Sequence, residues 1–238
     1  PIAAGVRMEQ SEPADASDPA GLRYTAIGDF FDSINSPDAA ALAGYRGDQG
    51  VLATTTYSEF TSDGARLRGA LDAMKKPGRG TDPPTLTAVN EMLAYTAANA
   101  PSGPGERQRA VVVVSLGSKS RECTSWPSAA CLEAVAKASE TSLKTGIPVV
   151  ALGSEMLQNL AVRTGGAYVY VVEPVQLPVV SRALASIVGR SLPFNRVRLE
   201  LNRFGSEVFA SGDTVWVGLQ IDVRPGIRFW MDISSTIP

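Results

Sequence analysis

Residues 111–120, VVVVSLGSKS, decide how the rest of the chain is read. Four consecutive valines at 111–114 fit a strand covered on both faces, of the kind found in the middle of a parallel sheet. In open α/β sheets, ligands sit in the crevice beyond the carboxyl ends of such strands. The tip Ser115, Leu116, Gly117 is therefore where a charged or nucleophilic side chain is expected. The sequence puts a leucine there.

Working outward, residues 2–8 (IAAGVRM) read as a strand and EQSEPADASDPAG as a polar loop. In LRYTAIGDFFDSI (22–34), Leu22, Ala26, Ile27, Phe30, Phe31 and Ile34 recur at helical spacing, which predicts an amphipathic helix. DAAALAGYRGDQGVLATTTYSEF reads as two strands joined by the turn residues RGDQG, an antiparallel pair. A helix over 64–75 is broken by PGRG, and a second, capped helix is expected after Thr81, with Asp82 and two prolines in its entry. Beyond the valine strand come a helix ending at Gly146, a buried strand IPVVAL, a short helix SEMLQNLAVRTG, a last core strand GAYVYVV and a final helix LPVVSRALASIVGR. This alternation predicts a doubly wound α/β fold, a mostly parallel sheet with one antiparallel edge strand.

After residue 190 the apolar period becomes two. Val197, Leu199 and Leu201 share one face of a strand, as do Val215, Val217, Leu219, Ile221 and Val223, and Ile227, Phe229, Met231 and Ile233. The expected division is an α/β domain over 1–190 and a C-terminal antiparallel β extension over 191–238, with Arg224, Pro225 and Gly226 turning the last hairpin. Trp216 and Trp230 fall opposite the apolar rows and form a candidate partner surface.

Composition narrows the chemistry. The chain has 238 residues, 22 Lys and Arg against 24 Asp and Glu, and no histidine. The lack of histidine removes Ser-His-Asp and Cys-His catalysis and every His-based zinc or iron site. The basic residues are scattered, so a nucleic-acid partner is not expected. No apolar run approaches the ~20 residues needed to span a bilayer, so no transmembrane segment is expected. The first residue is Pro1 rather than Met, and the expectation is that an export signal or anchor has been removed or left out. Cys123 and Cys131 are separated by seven residues, unlike the short pairs of zinc and redox motifs. A disulfide between them contributes roughly 2 to 3 kcal/mol and implies an oxidising compartment; the alternative is two unpaired thiols in a cytosolic protein.

RMEQSEP, GRGTDPP and VVVVSLG, followed by TGIPVVALGS and LAVRTGGAYVYV, match in order and spacing the elements of a known family. Over about 1–190 the chain resembles the von Willebrand factor type A domain. The resemblance implies a metal-ion-dependent adhesion site, in which serine, threonine and aspartate oxygens hold Mg²⁺ or Mn²⁺ for a ligand carboxylate. Carried over by position, the first Asp falls on Glu9, the first Ser on Ser11, the second Ser on Pro13, the Thr on Thr81 and the last Asp on Leu116. Ser11 and Thr81 alone are unchanged, so the site reads as degenerate and no cofactor is expected. A second register, on Asp15, Ser17 and Pro19, recovers an Asp but leaves Leu116 in place.

The functional expectation is a non-catalytic protein-binding or scaffold module of an exported, bacterial-type cell-envelope assembly: periplasmic, outer-membrane-associated or extracellular. The alternative is an adhesin that holds Mg²⁺ or Mn²⁺ through Glu9, Ser11, Thr81 and Asp82 and binds a partner carboxylate. Carboxylate pairs such as Glu9 with Asp82 read as solvated loop groups rather than as an enzyme's acid and base. Arg46, Gly47 and Asp48 spell RGD but read as ordinary hairpin-turn residues, and GPGERQ as a loop with no phosphate-binding role.

Overall fold

A computed structural model describes residues 1–48, 51–102, 107–117, 120–123, 128–153, 155–169, 171, 174–177, 184, 188, 214–224 and 227–236. Six strands, β1 (Ile2–Glu9), β2 (Ala39–Asp48), β3 (Val51–Thr61), β4 (Gln108–Ser115), β5 (Val149–Gly153) and β6 (Tyr168–Val169), form one sheet in the order β3-β2-β1-β4-β5-β6. All neighbours are parallel except β2 and β3, so the antiparallel strand lies at one edge as its hairpin-like sequence predicts.

The valine run explains how the layers assemble. Val112 and Val114 pack with Val6, Met8, Ile27, Phe30 and Leu67 on one face of the sheet, while Val111 and Val113 pack with Leu86, Val89, Val135 and Leu157 on the other. A strand with a core on each side has no room for alternation, and full burial of each valine contributes roughly 1.5 to 3 kcal/mol. The first core is covered by α2 (Leu22–Asp32) and α3 (Gly64–Met74), together with Leu177, Leu184 and Val188, the helical residues described from the predicted final helix. The second is covered by α4 (Thr85–Asn99), α5 (Ala129–Thr145) and α6 (Met156–Arg163). Helix α5 ends at Gly146, whose left-handed φ of 67° suits glycine.

Four expectations are corrected. The segment read as a polar loop holds a short helix, α1 (Glu12–Ser17): Ser11 caps it by accepting from the Ala14 amide, and Pro13 sits in the first turn, where its missing N–H costs nothing. Helix α4 starts at Thr85, four residues beyond Thr81. The tripeptide Arg46, Gly47, Asp48 is not a turn but the end of β2, paired with Ala53, Leu52 and Val51. The described part of GAYVYVV is a half-buried edge strand rather than a core strand.

The chain divides into two compact units, Pro1–Asn195 and Arg196–Pro238. In the second, β7 (Thr214–Arg224) and β8 (Ile227–Thr236) form an antiparallel ribbon. Its register pairs Val217 with Ile233, Leu219 with Met231 and Ile221 with Phe229, and sets Trp216 opposite Ser234 and Trp230 opposite Gln220. The predicted strand VRLELN and the turn residues Pro225 and Gly226 lie outside the described residues.

Candidate functional site

The carboxyl edge of the sheet carries the row Tyr45, Glu9, Ser115, Gly153, contributed by β2, β1, β4 and β5 in turn. Chain connections reverse direction between β1 and β4, which makes this the crevice where such folds place ligands. Glu9 is 1% exposed, and its carboxylate accepts from the Ser115 hydroxyl at 2.7 Å, from the Gly117 amide at 3.0 Å and from the Ser11 hydroxyl. Those three donors compensate a buried charge that would otherwise be costly. Gly117 is required here: a Cβ would lie 3.1 Å from the carboxyl carbon of Glu9 and closer still to one of its oxygens. Leu116, at the strand tip, packs against the core on the α2 side.

Beside Glu9, the Tyr45 hydroxyl donates to Thr85 Oγ1 at 3.3 Å. Burial pushes the Tyr45 phenol well above its ordinary pKa and the Glu9 charge adds to the rise, against opposing pulls from Ser115, Thr85 and Arg7. Thr85 is fully buried, whereas Thr81 is exposed and its hydroxyl lies 3.3 Å from Asp82 Oδ2. Thr85, which sequence reading missed, is thus the threonine bonded to Tyr45 beside Glu9. The loops around Ser11 and Thr81 are joined by main-chain bonds, Glu12 N–H to Gly80 O and Arg79 N–H to Gln10 O, not by the two hydroxyls. Asp15, the alternative first ligand, pairs with Arg23 and accepts from the Gly78 amide. Its role there is to tie α1 to that loop.

The adhesion site of the resembled family holds Mg²⁺ or Mn²⁺, hard ions that take oxygen donors, about six for Mg²⁺. Of the five positions here, Leu116 and Pro13 supply no side-chain oxygen, the Thr81 hydroxyl faces Asp82, and Glu9 and Ser11 bond each other. The side-chain oxygens left at these positions are those of Glu9, Ser11 and Thr81, so water would have to complete the shell of an ion held here. Among the described residues, no group of three or more His, Cys, Asp or Glu is placed to hold a metal.

Two further contacts, those of Arg7 and Glu122, carry no sequence signal of their own. Arg7, 2% exposed in the middle of β1, donates to Thr54 Oγ1 at 2.7 Å and pairs with Glu91 of α4 at 2.9 Å, its guanidinium 5.7 Å from the Tyr45 ring centre. Burial lowers its pKa and Glu91 opposes the shift. Cys123 and Cys131 form the expected disulfide, and the adjoining Glu122 meets the start of α4, where its Oε1 accepts from the Thr87 amide at 2.9 Å and the Thr87 hydroxyl at 2.8 Å.

Solved structures share this architecture. Proximal thread matrix protein 1 from the mussel byssus matches with a TM-score of 0.57 at 16% identity over 79% of this chain and 46% of that one. The same protein with a zinc-occupied MIDAS motif matches with a TM-score of 0.54 at 17% identity over 77% and 44%. The N-terminal domain of TFIIH p34 matches with a TM-score of 0.53 at 15% identity over 76% of this chain and 96% of that domain. The fold is von Willebrand factor type A-like, and the chain spans less than half the length of the mussel protein. No protein-family model matches the sequence, and no curated protein matches it.

Proposed function

We propose that the chain is a non-catalytic protein-interaction or scaffold module of an exported cell-envelope assembly, and that its carboxyl-edge crevice is structural rather than a Mg²⁺ or Mn²⁺ site. The observation that carries this reading is the pairing of Leu116 at the strand tip with a Glu9 carboxylate turned onto Ser11, Ser115 and the Gly117 amide. Structural neighbours with this fold, one of them named as a matrix protein, support an interaction role. The Cys123–Cys131 disulfide supports an oxidising compartment, and no helix among the described residues is long and apolar enough to cross a membrane.

The test is calorimetric titration of the chelator-treated protein with Mg²⁺, Mn²⁺ and Ca²⁺. No saturable heat is expected from the wild type. A Glu9→Asp, Pro13→Ser, Leu116→Asp triple variant is expected to gain binding, because the crevice keeps its geometry and lacks its ligands. Micromolar binding by the wild type that is lost in Thr81→Ala overturns the reading in favour of the metal-dependent adhesin.

A further inference from the structure

We infer that a second pocket, on the β2 side of the crevice, is an oxyanion-binding site. It is a cavity of about 270 Å³ lined by Gln10, Arg46, Tyr57, Lys76, Pro77 and Arg79. Three of the six lining residues are cationic and none is acidic. The cations come from separate places in the chain: Arg46 from the end of β2, Lys76 and Arg79 from the two sides of Pro77 and Gly78 in the segment after α3. None of the three side chains makes an ion pair or hydrogen bond with another described residue. This contrasts with Arg7, Arg23 and Arg68, each of which meets a carboxylate.

The pocket is built rather than incidental. Its floor is the Gln10 amide, 7% exposed, whose Nε2 donates to the Met74 carbonyl at 3.0 Å, and the Tyr57 hydroxyl lies 3.2 Å from both Nε2 and Oε1. The walls are pinned by main-chain bonds: Gln10 N–H to Tyr45 O at 2.8 Å, Arg79 N–H to Gln10 O at 3.0 Å and Lys76 N–H to Met74 O at 2.7 Å. Holding three like charges around one cavity is unfavourable until an anion enters; the fixed main chain sets where the exposed Lys76 and Arg79 side chains start, and charge-assisted bonds to the anion must outweigh the ordering of those side chains. The ligand class is an oxyanion, a carboxylate or a phosphate. Its source is either a free small anion or a carboxylate on an acidic peptide.

Titrating the full chain with inorganic phosphate, citrate and a hexaglutamate peptide at low salt tests the site, followed by calorimetry and by chemical-shift changes at the Gln10 side-chain amide. Saturable binding of at least one probe is expected, weakened about tenfold or more in Arg79→Ala and in Lys76→Ala, since each removes a charge-assisted contact. Binding of phosphate or citrate assigns a free anion; binding of the peptide alone assigns a protein carboxylate. Lys75→Ala removes the same charge just outside the pocket, where Lys75 pairs with Asp72. The inference is overturned if no probe binds at millimolar concentration, or if Lys75→Ala weakens binding as much as Arg79→Ala, which would mark diffuse attraction.

Discussion

Glu9 stands where the resembled family has an aspartate, and its carboxylate is tied into the fold by three donors. An aspartate's shorter side chain leaves its oxygens at the strand end, whereas the extra methylene of Glu9 lets the carboxylate reach Ser115, Gly117 and Ser11 together. Replacing Glu9 with leucine strands two hydroxyls and an amide in a buried place and is expected to cost about 3 kcal/mol; Glu9→Gln keeps the volume and one acceptor and is expected to cost about 1 kcal/mol. Urea unfolding measures both, and equal effects would mean that burial rather than hydrogen bonding dominates. Gly117→Ala drives a Cβ into the carboxyl group and is expected to cost about 2 kcal/mol by overpacking. Leu116 was legible from sequence because a leucine at a strand tip is a local fact. The Glu9–Ser115 bond was not, since its partners are 106 residues apart and meet through the β1–β4 register.

At the scale of elements, apolar periodicity located nearly every strand and helix of the α/β unit, and helix entry was where it failed. The sequence around Thr81 looks like a cap. The segment instead runs through Gly80, which packs on the Gly47 main chain, and a Cβ at Gly47 would lie 2.6 Å from the Asp82 carbonyl. The entry is thus fixed by β2, and α4 begins at Thr85 behind Pro84, which offers no cap. Glu122 supplies one from across the fold, through the Thr87 amide and hydroxyl. Glu122→Ala is expected to lower stability by about 1 kcal/mol and to speed hydrogen exchange of the Thr87 amide. No change in that exchange would show that α4 holds its first turn without Glu122. On the other face, Arg68 of α3 pairs with Asp32 at the end of α2, and its hydrogen bond holds the Asp32 carboxyl below its ordinary pKa. A depressed acid stabilises the fold above its unfolded pKa, and that contribution disappears as pH falls through the folded value. The pair is exposed, so its worth is at most a few tenths of a kcal/mol. The urea-midpoint difference between wild type and Arg68→Ala should therefore be small at neutral pH and vanish in acid and in high salt.

For the whole molecule, two features bear on where and with what the chain works. The disulfide closes a nine-residue loop from Cys123 to Cys131, and reduction is expected to cost roughly 2.5 kcal/mol by loop entropy, with a matching fall in melting temperature. Since Glu122 adjoins Cys123, reduction should also loosen the start of α4, which exchange at Thr87 reports. The β7–β8 ribbon raises the question of partners. A two-stranded ribbon is marginal by itself, so β7 and β8 need a further surface to persist. Trp216 and Trp230 alternate in sequence with the apolar rows, and aromatics are enriched at interfaces because they bury much area at low conformational cost. On the interaction-module reading, Trp216→Ala and Trp230→Ala in the full chain should reduce co-purification with its native assembly while the melting temperature of the purified chain stays within about 2 °C of wild type, the range of a surface change of less than about 0.5 kcal/mol. A large fall in melting temperature, with the assembly otherwise intact, would instead place the two tryptophans in the chain's own core and remove them as the contact.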